Sequence, residues 1–308
     1  MNLAQHSISV ITPVYNGQAF IEECISSVLA QGYASLEHII VDDGSTDDTV
    51  AIVQRYPHVR LVQQDQQGAP AARNRGIACA TGAYYKFLDA DDVLPEGILN
   101  REVGRLETLG ERCIGFGDAT AFGDYGDGLA PLAERNRTEY LLVHLIMNNI
   151  LTGASLYPAQ AVQSVGGFDE RLTSRQEWNL NIRIAAEGWR FVHSDILVYC
   201  QRFHNAPHRI SNRKLLVDRE LENLEYAIEP LLASQDREVL CATAAYVWGV
   251  GRQFILSGAP QEAEVFFTRA REISDDRFLR HFKRHYRIMV TLIGPTRTGI
   301  LSKWLRRQ

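Results

Sequence analysis

Several familiar signatures are missing from this chain, and each absence removes a class of function. There is no GxxxxGK[ST] loop, and the glycine pairs Gly115/Gly117 and Gly249/Gly251 each lack the third glycine of a dinucleotide fingerprint. Neither a GxSxG elbow nor an HExxH helix is present, which leaves no sign of an α/β-hydrolase or a zincin. His281 and His285 stand four apart without a third ligand, a poor zinc site. Cysteine is scarce: Cys24, Cys79, Cys113, Cys200 and Cys241 are odd in number, widely spaced and never in a CxxC pair. Such usage points to reduced, mostly buried thiols in a cytoplasmic protein. No uninterrupted apolar run is long enough to span a bilayer, and the N-terminus enters a strand without a signal-peptide pattern. In that compartment the sequon Asn136-Arg137-Thr138 carries no meaning. A formal net charge of −5 argues against a general nucleic-acid binder.

The 308 residues suffice for one large domain or two modest ones, with a hydrophobic content of 45% that suits a soluble globular chain. Ile8 to Pro13 reads as a first strand with a turn at Tyr15-Asn16-Gly17. Ile21, Cys24, Ile25, Val28 and Leu29 then fall at helical spacing. Leu36 to Asp42 is a second strand around Ile39-Ile40-Val41, and Gly44 to Asp48 is a turn that supplies helix caps. Val59 to Gln63 is a third strand. Gly68 opens an Ala-rich helix with Pro70 in its first turn, where a missing N–H is harmless. Tyr84 to Leu88 is a fourth strand, followed by a helix from Glu96 to Leu109. Strands alternating with helices predict a mostly parallel sheet covered on both faces.

The stretch Tyr84-Tyr85-Lys86-Phe87-Leu88-Asp89-Ala90-Asp91-Asp92 stands out, because an apolar run stops in three carboxylates. Asp42-Asp43 ends the second strand in the same way. Both acid groups should share the carboxyl edge of the sheet, where α/β proteins hold ligands. Carboxylates that close need a positive partner, and oxygen-only ligands favour Mg²⁺ or Mn²⁺ together with phosphates. An acid-rich turn that merely caps the following helix is the plainer alternative.

Beyond that edge, residues 123–137 are Gly-, Asp- and Arg-rich and read as a long loop. A helix (Glu139 to Met147), a strand-like stretch (Ile150 to Tyr157), a helix after Gln176 and a strand from Phe191 to Tyr199 follow. From Arg213 the pattern is helical, and Trp248, Gly251, Phe254, Gly258, Ala263, Phe267 and Ala270 weakly resemble one tetratricopeptide helix pair. Arg277 to Gln308 holds no Asp or Glu and mixes Arg and Lys with large apolar residues. That composition suits a helix on an anionic membrane surface, or else a packed helix with a basic solvent face.

Val10 to Asn16, Val41 to Asp47, Gly68 with Ala72-Arg73-Asn74, and Asp89-Ala90-Asp91-Asp92 come in an order and spacing that resembles family-2 glycosyltransferases. Gly166-Gly167-Phe168-Asp169-Glu170 and Glu177-Trp178 fit as well, so the resemblance covers roughly residues 7–211. It implies a GT-A fold over 1–211, with a nucleotide-binding half near 1–112 and an acceptor half near 113–211. Residues 212–308 are left as a helical C-terminal region that associates with a membrane or partner. The implied activity is inverting, metal-dependent transfer from a nucleoside-diphosphate sugar, UDP-sugar being the expectation, to a glycan or lipid-linked acceptor. The place of action is the cytoplasm, at the inner face of the cell membrane, with a homo-oligomer allowed.

By resemblance, Pro13 and Tyr15 line the base pocket, Asp43 accepts the uracil N3–H, and Asp42 caps the Gly44-Ser45 turn. Arg73 points into the nucleotide site. Asp89 reaches the ribose or a metal-bound water, Asp91 binds Mn²⁺ or Mg²⁺ directly, and Asp92 orients the others or caps the next helix. Glu177 occupies the position of the general base. This chain departs from the usual Glu-Asp there, with Gln176-Glu177, and Asn179 replaces a frequent Asp. Arg202 and His204 stand where a diphosphate-contacting Arg or His is often found, and Asn205 to Ser211 would close over the donor. Two rivals are a sugar-1-phosphate nucleotidyltransferase and a degenerate transferase serving as a scaffold. The first wants a Gly-rich basic loop after strand one, which Pro13-Val14-Tyr15-Asn16 does not supply.

Overall fold

The computed structural model describes residues 6–106, 108–124, 128–129, 139–204 and 217–305. The chain divides into two compact units, Met1–Asn212 and Arg213–Gln308. The first begins with β1 (Ile8–Val14), α1 (Ile21–Leu29), β2 (Leu36–Asp42), α2 (Thr49–Val53), β3 (Val59–Gln63), α3 (Ala69–Cys79), β4 (Tyr84–Phe87) and α4 (Ile98–Leu106). Every residue of β1 is buried, as expected of a parallel strand covered on both faces. α1 turns Ile21, Cys24, Ile25 and Val28 inward at i, i+3, i+4, i+7. These elements bear out the expected alternation.

The other half holds β5 (Cys113–Gly123), β6 (Gly128–Leu129), β7 (Glu139–Tyr140), α5 (Leu142–Met147), a 3₁₀ turn (Thr152–Ala154), β8 (Ser155–Pro158), α6 (Ala159–Ser164), α7 (Gln176–Ala186) and β9 (Arg190–Phe203). The sheet order is β3-β2-β1-β4-β8-β5-β9-β7, and off this path β6 pairs with β5. β3, β2, β1 and β4 run parallel; β8 is antiparallel to both β4 and β5. The expected mostly parallel α/β sheet is therefore present, with antiparallel pairs at β8 and β7.

Three expectations need correction. β5 is a strand of 11 residues that sequence reading left unassigned, because its glycines and Asp118 interrupt the apolar pattern. Gly117 is there for space: a Cβ would sit 2.4 Å from the Ile196 carbonyl oxygen. Residues 139–147 are not one helix, since Glu139–Tyr140 pairs with β9 before α5 starts. The loop expected at 123–137 contains the β6 pairing; residues 125–127 and 130–138, including Asn136, lie outside the described residues, as do Asn205 to Ser211.

Beneath the carboxyl edge, Lys86 points from β4 into the interior, and its Nζ donates to Glu102 Oε1 and Oε2 of α4 at 2.8 and 2.9 Å. Burial pushes the Lys86 ammonium down and the Glu102 carboxyl up, and the pairing opposes both shifts. On β2, His38 is buried with Nε2 2.9 Å from Thr12 Oγ1.

The second unit is α8 (Val217–Leu232), α9 (Arg237–Ser257), α10 (Ala263–Ile273), a 3₁₀ segment (Asp276–His281), α11 (Arg284–Ile293) and α12 (Pro295–Leu305). α9 and α10 form the expected single pair, packed so closely at Gly251 that a Cβ would lie 2.9 Å from the Phe267 ring. α9, though interrupted by Arg252, is by length and composition long and apolar enough to cross a membrane, but most of that stretch is buried. The C-terminal run is not a single surface helix either. Phe278, Leu279, Tyr286 and Val290 are buried, and α11 is separated from α12 by Gly294 at φ 79°.

His38 generates a prediction. Burial holds its imidazole down to about 3, against 6.5 for an ordinary histidine. The folded state therefore refuses a proton that the unfolded chain accepts, so stability is intact above about pH 6.5 and falls as the pH drops towards the folded value. Urea unfolding of the wild type should lose ~2 kcal/mol more between pH 6.5 and 5 than unfolding of His38→Gln. Equal slopes would remove His38 as the cause.

Candidate active site

The site starts from strand ends. In the paired register Val14 faces Asp42 and Ile11 faces Phe87, so β2, β1 and β4 release their chains at one edge. The loops leaving β1 and β2 are stitched together. Asn16, at φ 51°, accepts from Thr46 N at 2.8 Å through Oδ1, while Asn16 N donates to Ser45 Oγ at 2.9 Å. Asp42 accepts from Ser45 N at 3.3 Å, a turn-capping contact. Asp43 accepts three N–H groups: Gln64 Nε2 and Gln67 N at 2.8 Å, and Gly68 N at 2.7 Å. An ionised carboxylate offers about four acceptor positions, so one remains for a ligand.

A cavity of about 450 Å³ opens at this edge. It is lined by Pro13, Tyr15, Asp43, Arg73, Asp89, Asp91, Glu177 and His204 of the expected residues. The volume lies within the range of small-molecule sites. Arg202 is not among the lining residues. Its Nε donates to the Asp91 carbonyl at 2.9 Å, its Nη2 to Glu23, and its guanidinium packs over Phe122 at 4.4 Å and Phe20 at 5.3 Å. It braces the acid loop from behind.

Oxygen atoms of Asp89, Asp91 and Asp92 lie within 4.8 Å of one another. Each has its own partner. Asp89 Oδ1 accepts from Arg73 Nη2 at 2.7 Å, and Asp91 Oδ2 lies 2.8 Å from His204 Nε2. Asp92 accepts from the Tyr199 hydroxyl and from Arg202 N at 2.6 Å. That holds Asp92 to β9, which runs beside Val93, and corrects the expectation of a cap on α4. Burial first, then the charges of Asp91 and Asp89, pushes the Asp92 carboxyl well above the usual range. Burial beside Asp92 also pushes the Tyr199 phenol up. An all-oxygen donor set of this spacing fits a hard divalent cation, whose charge would reverse the mutual repulsion.

Arg73 is the hub. It is buried on α3, donates through Nη1 to Gln176 Oε1 at 2.7 Å, and stacks over Phe168 at 5.2 Å. Gln176 Nε2 in turn donates to the Leu172 carbonyl at 3.3 Å, a bond that a carboxylate has no hydrogen to make. The departure at 176 is thus accommodated by a specific neighbour. Next to Arg73, Asn74 accepts from Phe168 N at 2.8 Å and donates to Phe168 O at 2.9 Å. Gly167 must lack a side chain there, since at φ 76° its Cβ would fall 2.5 Å from Asn74 Oδ1. Glu177 lies in the first turn of α7, half-buried, with Oε1 accepting from Asn149 Nδ2 at 2.8 Å. Asp169 is engaged by Arg171, which holds its carboxyl below the usual range.

Sequence reasoning missed Tyr199, Gln201, Phe20 and Asn149. None has a local signature, although Tyr199 and Gln201 flank the Cys200 that bridges Val93. Tyr199→Phe tests the Asp92 anchor. The ring should keep its place against Gly153, but a buried carboxylate loses a donor, and stability in urea should fall by ~1–3 kcal/mol. An unchanged midpoint would show that the bond contributes nothing.

Residues 9–151 match the sequence model of Glycosyl transferase family 2. An uncharacterized glycosyltransferase of Escherichia coli K12, YibD, is 48% identical over 91 residues, 28% of this chain and 26% of that protein. An uncharacterized glycosyltransferase of Rickettsia bellii is 28% identical over 266 residues, 83% of this chain and 38% of that protein. The chain thus spans well under half the length of these curated relatives. In fold, it resembles residues 1–349 of S. aureus TarS, solved in complex with UDP-GlcNAc. The TM-score is 0.76 at 19% identity, covering 98% of this chain and 92% of that one. With the quoted motifs gathered at one sheet edge, residues 9–151 resemble family-2 glycosyltransferases, and the chain has the GT-A fold.

Proposed function

We propose that this domain transfers a sugar, with inversion, from a UDP-sugar to a hydroxyl of a glycan or lipid-linked saccharide in the cytoplasm. One observation carries the proposal. The ends of β1, β2 and β4, the Arg73 hub and the Glu177 carboxylate all line a single cavity. Tyr15 and Pro13 flank the base, and the unused lone pair of Asp43 accepts the pyrimidine N3–H. His204, rather than Arg202, takes the diphosphate contact. Asp91 and Asp89 would hold Mn²⁺ or Mg²⁺, which when bound neutralises charge on the diphosphate as it leaves. Glu177 presents the oxygen not used by Asn149 to the acceptor hydroxyl and takes its proton. The hydroxyl oxygen then attacks the anomeric carbon from the face opposite the diphosphate, and configuration inverts.

A thermal-shift series of nucleoside diphosphates and their sugars, with and without Mn²⁺, tests the donor class, because stabilisation follows occupancy. UDP should stabilise most and only with metal; a response to triphosphates alone, or to none, would remove the transferase reading of this cavity. Two substitutions sharpen it. Asp91→Asn should weaken Mn²⁺-dependent UDP binding at least ~100-fold by calorimetry, beyond the ~10–100-fold typical of outer-sphere changes. Glu177→Gln should leave UDP affinity near wild type while kcat falls ~10²–10⁴-fold. Near-normal turnover in Glu177→Gln would rule it out as the base.

A further inference from the structure

We infer that the outer face of the α11–α12 hairpin docks on an anionic lipid surface. The two helices are two-faced. Tyr286 and Val290 of α11 are buried, and Tyr286 Oη accepts from Trp248 Nε1 at 3.1 Å. On α12, Thr298 is buried, and Gly299 lies so close to α9 that a Cβ would meet Ile255 Cδ1 at 2.4 Å. Two positions further along a helix is ~200° of rotation, the opposite side. There the side chains are apolar and open: Ile288 is 49% exposed, Leu292 72%, Ile300 48% and Leu301 38%. Those four belong to only nine exposed large hydrophobics among the described residues, so the unit concentrates them on this hairpin.

Charge identifies the occupant. No Asp or Glu occurs from Arg277 to Gln308. Arg277 and Arg280 are engaged by Asp275 and Glu238. Among the described residues, Lys283, Arg284, Arg287 and Arg297 form no ion pair with a carboxylate, and Lys283, Arg284 and Arg297 are exposed. Open leucine and isoleucine among unneutralised cations match the boundary between headgroups and acyl chains of an anionic bilayer. A second copy placed on this face by a two-fold axis would set the same cations against each other. The inference does not depend on the transfer reaction, and sugar transfer could fail its own tests while this one holds.

Flotation of the full chain with phosphatidylcholine vesicles, with and without phosphatidylglycerol, tests it. The chain should float with the phosphatidylglycerol vesicles, less so as salt rises, and stay behind with phosphatidylcholine alone. Ile288→Glu/Leu292→Glu and, separately, Arg284→Glu/Arg297→Glu should each weaken that binding at least ~10-fold. Both pairs change exposed positions, so an unaltered thermal unfolding midpoint confirms that folding is intact. Failure of the wild type to float at low salt would overturn the inference, as would wild-type flotation by both variants. Concentration-dependent dimers lost in Ile288→Glu/Leu292→Glu, without vesicle binding, would overturn it in favour of a protein interface.

Discussion

Three carboxylates held within 4.8 Å of one another set the terms for everything around them. Such a group repels itself, most strongly at buried Asp92, and each member gains from a donor of its own. The fold meets that demand from three directions. Arg73 comes from α3 behind the sheet, His204 from the end of β9, and the Tyr199 hydroxyl with the Arg202 amide from the body of β9. The balance is incomplete at Asp92, whose carboxyl stays biased towards its protonated form. The site is thus only partly neutralised, with Asp89, Asp91 and Asp92 lining the cavity.

The same contacts join the two halves of the N-terminal unit. Arg73 belongs to the parallel half and Gln176 to the other, and their bond links positions 103 residues apart. Tyr199 reaches Asp92 across 107 residues. The cavity is therefore a product of the interface between the halves, and its shape depends on small residues at close approaches. Gly153 is one of them, since a Cβ there would lie 2.2 Å from the Tyr199 ring.

Much of the parallel half was legible in sequence. Ile39-Ile40-Val41 and Tyr84 to Leu88 are short apolar runs ending in acids, and that pattern reports both a buried strand and the edge where it stops. β5 was illegible because Gly115 and Gly117, the second required by close packing against Ile196, erased the alternation that marks a strand. Residues that act at a distance were illegible for another reason. Tyr199 looks like any strand aromatic until β9 is seen against Val93, and Arg202 looks like a ligand contact until Glu23, Phe20 and Phe122 are seen around it. Gln176 was noticed only as a departure; its use follows from the Leu172 carbonyl beside it. At the C-terminus, composition counted the apolar and basic residues, but only three-dimensional packing sorts Tyr286 and Val290 from Ile288 and Leu292.

The Asn74 clamp has a consequence for how this domain can diverge. Its carboxamide gives to and takes from the same residue, Phe168, with Gly167 bare to admit it. Two stretches far apart in the primary sequence are thus one mechanical joint. Recombination that swapped the distal segment while retaining the proximal helix would have to carry a matching turn or lose the hinge altogether. Change in the surrounding loops should therefore be tolerated more readily than wholesale replacement of either segment.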